Sequence, residues 1–369
     1  MATRSAPQNP QAKTNLLILL AVVEFCLLAG LAWAFWVLAQ ENEFSAPEPE
    51  EAITVLPAHT LPPASTTTLS LALASTPTPT LTAIPTLTET PTPTATDPPA
   101  PTPTEPTPLP AILAAGDVAV CEPGMTAQTA GLLCHLPGEI LVLGDASNNH
   151  GSTEQYANCF HPTWGQYLNR MYVVPGNHDY ESGGDPFYSY FGTAAGPPGL
   201  GYFSFDLHGW HIIGLNTVCG QVDRCSESTE QYQWLINDLA AHPSQCSLVF
   251  WHNPYFSPLP TGGAENLEPF FRAIYHAGAD IVLNGHDHVY VRYAPMDPEG
   301  NIDPENGVRE FIVGTGGAYL QTNFVSLPAE EMRISTWGLL QLELGEGFYR
   351  WSFFDLEMQV LDSGEDWCH

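Results

Sequence analysis

Cations are scarce in this chain. Nine Lys and Arg, only one of them Lys, stand against 40 Asp and Glu, giving a net charge of −31 over 369 residues. Without a basic patch the chain has nothing with which to grip a nucleic-acid backbone, so that class of partner is excluded. The C-x-x-C pair is also missing, which argues against thiolate zinc sites although there are eight Cys. Charged residues of both signs make up only 13% of the chain and the hydrophobic set 44%, so it is not a uniformly disordered polyelectrolyte. Any phosphate chemistry in so acidic a protein needs positive charge from a source other than Lys and Arg. Proline is plentiful, with 35 residues, and its distribution divides the chain.

Leu16 to Ala39 runs for 24 residues with Glu24 as its only charge, long enough as a helix to cross a bilayer. The reading is a transmembrane signal-anchor over 16–40, with a cleaved signal peptide as the alternative; either one exports the remainder of the chain. Arg4 and Lys13 before the span and Glu41 and Glu43 after it leave residues 1–15 in the cytoplasm by the positive-inside rule. The expected location is the cell membrane, single-pass, with the rest of the chain on the extracytoplasmic side. Residues 41–110 contain 17 Pro and 18 Thr in patterns such as Thr76 to Thr80, TPTPT. Alternating Pro removes amide donors and fixes φ, so this stretch reads as a disordered linker of polyproline II character, reaching at most roughly 200 Å at ~3.1 Å per residue.

The remaining 111–369 is the size of one large α/β domain and carries 31 acidic and 7 basic residues. It holds seven of the Cys, of which Cys219 with Cys225 and Cys121 with Cys134 are the nearest candidate pairs; an odd number leaves one unpaired. Short apolar runs of strand character end repeatedly in polar residues: AILAAGD (Ala111 to Asp117), EILVLGD (Glu139 to Asp145), RMYVVPGNHD (Arg170 to Asp179), CSLVFWH (Cys246 to His252) and ADIVLNGHDH (Ala279 to His288). Helical stretches at Glu227 to Ala241 and Leu267 to Ala277 separate some of them, which predicts strand, crossover helix, strand. His208-Gly209 predicts a hairpin turn. Ligands of open α/β sheets collect beyond the carboxyl ends of strands, so the five polar endings should converge. Glycine precedes four of them and permits a sharp exit and a close backbone approach. Two Asp, an Asn and three His mix hard oxygen with imidazole, a set suited to Zn, Mn or Fe, and the number of donors fits two metals sharing a carboxylate.

The ordered blocks Gly116-Asp117, Gly144-Asp145, Gly176 to Asp179 (GNHD), Trp251 to Pro254 and Asn284 to Tyr290 (NGHDHVY) resemble those of the calcineurin-like metallophosphoesterases, and within them most resemble the purple acid phosphatase branch. The resemblance implies a four-layer α/β/β/α sandwich with two mixed sheets at its centre. It implies two divalent or trivalent ions, with Asp117 and His288 on the first, Asn177, His252 and His286 on the second, and Asp145 bridging. His178 would face the substrate phosphate as acid or transition-state donor, Asp179 would orient its ring, and a metal-bound hydroxide would be the nucleophile.

The chain departs from the family pattern at several positions. Ala119 replaces a common His, Asn148 a ligand Tyr, Asn253 a phosphate-touching His, and Val291 a common Glu. The first metal thus lacks one expected ligand, for which Asn148 and His150 are candidates, and without the Tyr no visible colour is expected. Asn253 and Arg292 join the residues that could touch phosphate, although bracing is the favoured role for Arg292. His135, His161, His208, His211, His242 and His276 read as surface or locally bonded. The expected function is an anchored, exported phosphatase for small phosphomonoesters. Two alternatives stay open: a phosphodiesterase on nucleotides or lipid head groups, and a catalytically weakened metal-binding module. No protein partner is implied.

Overall fold

In the computed structural model the apolar runs do become strands. Thirteen strands occur among the described residues: β1 (Ala111–Ala115), β2 (Glu139–Leu143), β3 (Met171–Val174), β4 (Phe203–Leu207), β5 (Trp210–Gly214), β6 (Cys246–Trp251), β7 (Ile281–Asn284), β8 (Tyr290–Tyr293), β9 (Arg309–Val313), β10 (Glu330–Ile334), β11 (Gly338–Gly345), β12 (Phe348–Asp355) and β13 (Val360–Trp367). The structure describes residues 108–121, 124–222, 225–243 and 246–369, all within the unit Pro98–His369. The expected membrane span and nearly all of the linker lie outside the described residues. Among the described residues no helix is long and apolar enough to cross a membrane.

The strands form two mixed sheets. One has the order β13-β12-β11-β1-β2-β3, the other β10-β8-β9-β7-β6-β5-β4. β1, β2 and β3 run parallel, as do β5, β6, β7 and β9, so the five polar strand endings belong to two sheets rather than one. β1, β6 and β7 are buried along their whole length, which is why they read as continuous apolar runs without alternation.

Leu113, Val142 and Val173 from the first sheet share one buried cluster with Phe250, Leu283 and Phe311 from the second, so the sheets pack face to face. Helix α1 (Thr126–His135) adds Leu132 and Leu133 to that cluster. A short helix α2 (Asp185–Phe191) adds Phe187 and Phe191. The helices expected between the later strands are α3 (Glu230–Ala241) and α4 (Glu268–His276). They bury Leu235, Phe270, Phe271 and Ile274 against Val249, Trp251 and Val282 of the second sheet. Thr229 caps α3 by accepting from the Tyr232 amide at 3.3 Å.

His208 and Gly209 form the predicted two-residue turn, with φ of 51° and 90° and Leu207 opposite Trp210. The cysteines partly correct the sequence reading. Cys219 pairs with Cys225 as expected, but Cys121 pairs with Cys159, and Cys134 is free and exposed. Cys134 sits eight residues into α1, about 12 Å along the helix axis from its start and so out of reach of Cys121. A third bridge, Cys246 to Cys368, ties the start of β6 to the chain just after β13 and so joins the two sheets covalently.

Candidate metal centre

The site is built by strands that end abruptly. Beyond β1, β2 and β7 the chain turns through Asp117, Asp145 and His286 with φ of 58°, 48° and 68°, a left-handed conformation that non-glycine residues hold only where the surroundings enforce it. Backbone hydrogen bonds supply that enforcement. The Val118 amide donates to the Asp145 carbonyl at 2.9 Å, and Gly116 donates to Val313 of the opposite sheet at 2.8 Å. The His286 amide donates to Asp117 Oδ2 at 2.7 Å, lacing the two sheets together. Gly176 leaves room for a carboxylate: a Cβ there would stand 2.1 Å from Asp145 Oδ1.

The six residues expected as ligands come together. His252 Nε2 lies 3.1 Å from Asn177 Oδ1, 3.2 Å from His286 Nδ1 and 3.3 Å from Asp145 Oδ2. His288 Nε2 lies 3.1 Å from Asp117 Oδ1. Asn148 Nδ2 donates to Asp117 Oδ1 and to Asp145 Oδ2, each at 3.2 Å, and stands 3.5 Å from His288 Nε2. Asp117, Asp145 and His252 are fully or almost fully buried, and one donor atom from each lies within 4.8 Å of the others.

The donor set fits a cation. His252 Nδ1 faces the Leu143 carbonyl at 2.9 Å and His288 Nδ1 faces the Tyr319 carbonyl at 2.6 Å. A proton on each of those nitrogens leaves both Nε2 lone pairs pointing inward, the arrangement by which an outer contact fixes a metal-binding tautomer. The facing nitrogens of His252 and His286, with the Asn177 carbonyl oxygen beside them, bring three acceptors to one point. The charges agree. Burial pushes His252 down, but Asp145, Asp117 and the Leu143 carbonyl raise it to about 10. His286 is lowered to about 4 by burial and by the neighbouring His252 charge. Burial would raise Asp117, yet His288 and His252 hold it below the usual carboxylate range. The buried carboxylates draw positive charge into a pocket where a metal would displace protons.

His178 occupies a three-residue 3-10 turn, His178–Tyr180, directly after Asn177. Its Nε2 points at the centre, 3.9 Å from Asp145 Oδ2, and its side chain is one-third exposed. Asp179 does not orient this ring, contrary to the expectation from sequence. It is fully buried and accepts from the amides of Gly176 (2.9 Å), Ser147 (3.1 Å) and Ala146 (3.2 Å) and from the Tyr156 hydroxyl. Burial and then Asp145 raise it to about 7. Adjacent residues of a tight turn point in different directions, whereas residues three apart share a face. Glu181, three residues after His178, takes the place expected of Asp179, with Oε1 2.6 Å from His178 Nδ1.

The additional candidates are distributed differently. Asn148 is inside the cluster. His150 is exposed and pairs with Glu181 rather than with the ligand set. Arg292 braces: Asp362 holds it at 2.8 Å, Glu331 holds it too, and the guanidinium lies over Trp351. It is thereby removed from the residues that could touch phosphate. The Asn253 amide donates to Thr217 Oγ1 at 3.3 Å. Asn253 also separates two clefts beside the ligands. One, of 150 Å³, is lined by residues including Ser257, His286 and Asp287; the other, of 270 Å³, by Asn177, Thr217 and Asn266 among others. No Lys or Arg lines either cleft among the described residues.

Sequence reasoning missed three contributors. Glu181 is one. Tyr319 is another, its carbonyl on His288 and its exposed ring 4.6 Å from the His288 ring. The third is Ser257, which donates to Asp287 Oδ2 at 2.5 Å beneath the ligand loop. None of the three stands at the end of an apolar run, so the strand-end pattern does not mark them. For Glu181 the interval of three from His178 was the available signal.

Comparison with known proteins agrees with this geometry. The calcineurin-like phosphoesterase family matches residues 111–290. Purple acid phosphatase 15 of Arabidopsis thaliana is 28% identical over 250 residues, covering 55% of this chain and 45% of that protein. Purple acid phosphatase 22 of the same plant is 27% identical over 266 residues, covering 62% and 57%. The chain thus spans about half the length of the curated relatives it matches. Among solved structures, the yellow lupin purple acid phosphatase PPD1 superposes with a TM-score of 0.57 at 19% identity, over 70% of this chain and 53% of that one. GAP50, the anchor in the inner membrane complex of Plasmodium, superposes with a TM-score of 0.56 at 12% identity, over 71% and 90%. Through residues 111–290, and with its ligand-type residues gathered at the strand ends, the chain resembles the calcineurin-like phosphoesterase family.

Proposed function

We propose that the protein is a metal-dependent phosphatase that hydrolyses small phosphomonoesters at a dinuclear centre. The observation that carries this reading is the convergence of Asp117, Asp145, Asn177, His252, His286 and His288 around acceptor atoms 3.1 to 3.3 Å apart. Asp117 and His288 would hold one ion, Asn177, His252 and His286 the other, and Asp145 both. Two such ions supply Lewis acidity and lower the pKa of water at the site. The protein's own residues would do the rest. Asn148 Nδ2 is a donor within the first position, and His178 Nε2 stands ready to give a proton to the leaving oxygen. The clefts beside Asn253 offer no Lys or Arg among the described residues, which favours a leaving group without further phosphates. Iron, zinc and manganese all suit the donors.

The reading extends to location. The apolar run at 16–40 and the Pro/Thr-rich 41–110 support a membrane-anchored domain held on the extracytoplasmic side. The three disulfides favour an oxidising compartment. The test is metal content of the purified full chain together with turnover of p-nitrophenyl phosphate and bis-p-nitrophenyl phosphate. Two metals per chain and faster turnover of the monoester are expected. Faster diester turnover would replace the substrate class, and fewer than two metals with no hydrolysis after loading with iron, zinc or manganese would overturn the enzyme reading.

A further inference from the structure

Glu181 lies between two imidazoles. Its Oε1 stands 2.6 Å from His178 Nδ1, and its Oε2 meets His150 Nδ1. His178 therefore has one ring nitrogen on Glu181 and the other, Nε2, toward Asp145 at 3.9 Å. His178 Nδ1 is shielded from solvent, and among the described residues no other acceptor reaches it. The 2.6 Å contact lies off the line of a good hydrogen bond, a misalignment common before substrate binds.

The surrounding backbone holds this arrangement in place. Ser182 Oγ donates to the His150 carbonyl at 2.6 Å, and the His150 amide donates to Gln155 Oε1 at 3.0 Å. Gly151, at φ 58°, packs so closely that a Cβ would stand 2.7 Å from the His178 carbonyl oxygen. The loop carrying His150 is thus pressed against the turn carrying His178 and Glu181. Asp179 is committed to four other donors and cannot serve.

We infer that Glu181 is the positioning residue for His178, holding its Nδ1–H so that Nε2 is presented to the leaving oxygen, while His150 on the second carboxylate oxygen fixes the orientation of Glu181. This rests on the proposed phosphatase reading, in which His178 is the proton donor. In that step the phosphorus–oxygen bond to the leaving group breaks, and the leaving oxygen takes the bonding pair and the Nε2 proton. The oxygen of water forms the new bond to phosphorus, and the proton that water gives up restores Nε2 through solvent.

The test compares two phosphomonoesters on the full chain, p-nitrophenyl phosphate, whose leaving group needs little help, and an alkyl phosphate, whose leaving group needs a proton. Glu181→Gln should keep both metals and the melting temperature. It should lose about 10- to 100-fold in kcat on the alkyl ester, a fraction of what a general acid contributes, and no more than about threefold on the aryl ester. His150→Ala should lose less, in the same direction, and should add nothing in the Glu181→Gln background. Equal losses on both esters, or none, would overturn the inference. If the wild type hydrolyses neither ester, the phosphatase reading falls, and nitrogen-15 NMR of His178 in the zinc-loaded protein still decides about Glu181. Measured at a pH where the ring is neutral, a proton fixed on Nδ1 in the wild type and spread over both nitrogens in Glu181→Gln supports the inference, and an unchanged pattern refutes it.

Discussion

Tyr156 donates its hydroxyl to Asp179 at 2.7 Å, and with that bond the acid of the GNHD block turns into the protein, away from its neighbour His178. Asp179 is then a structural acceptor for donors on three segments. Replacing it with Asn sets an amide donor against at least one of them, so Asp179→Asn should destabilise the fold by about 2–4 kcal/mol, and Tyr156→Phe by about 1–2 kcal/mol. Urea unfolding of the two variants reads this. An Asp179→Asn protein of wild-type stability but poor turnover would return the residue to the role of ring orienter.

Gly176 touches Asp145 so closely that any side chain must displace the Asp145 carboxylate. Gly176→Ala should therefore bring metal content well below that of the wild type. Gly131, in the middle of α1 with open space where a Cβ would stand, is the control. Gly131→Ala should retain full metal and gain about 0.5–1 kcal/mol from helix propensity. Equal metal content in the two variants would mean that the carboxylate can move without consequence.

His211 sits far along β5 from the metal ligands and is clasped by Asp206 at 2.8 Å and Asp238 at 2.9 Å, with His242 stacked on its ring. Burial pushes His211 down, but the bonds from Asp238 and Asp206 win and raise it above 6.5. Its contribution to stability is fully present below 6.5 and is lost as pH rises through the raised value. Asp238 is opposed by burial but held below 3.8 chiefly by His211, so its contribution is present above 3.8 and lost as pH falls through the depressed value. The melting temperature should drop as the pH rises above about 6.5 in the wild type and much less in His211→Gln. Parallel pH profiles would show that the clasp carries no linkage.

Peptide mapping without reduction should give Cys121 with Cys159, Cys219 with Cys225 and Cys246 with Cys368, with Cys134 the alkylated thiol of the domain. The Cys246–Cys368 bridge closes a loop of 122 residues and links the sheets. Replacing both cysteines with Ala should lower stability by about 3–5 kcal/mol. Cys134→Ser, on an exposed helix face, should change it by less than about 0.5 kcal/mol. A Cys121–Cys134 peptide in the digest would contradict the fold around α1.

The strands carrying Asp117, Asp145, Asn177, His252 and His286 were legible because each is an apolar run ended by a glycine turn or a polar break, and burial on both faces leaves that pattern in sequence. Their division between two sheets was not legible from those runs, since β1 to β3 and β6 to β7 have the same local character; only the family resemblance implied it. Asp179 was misread because adjacency in sequence is a poor guide inside a 3-10 turn, where Glu181 returns to the face of His178. Cys159 was passed over for Cys134 because a short sequence interval was weighed without the rise of the helix between. The role of Arg292 was read correctly, although nothing in the sequence pointed to Asp362 or Glu331, which are 70 and 39 residues away.

Asp117, Asp145 and Asn177 all follow strands of the first sheet, whereas His252, His286 and His288 all follow strands of the second. One sheet brings only oxygen and the other only nitrogen. During synthesis the oxygen half emerges first, and alone it is a set that magnesium or calcium would satisfy as well as any transition metal. In the proposed centre, preference for a harder-won ion would arise only when the imidazoles arrive and the sheets close. The seam between the sheets would then make metal choice a late event, and a chain cut short before its second sheet would carry carboxylates with no means of selecting an ion.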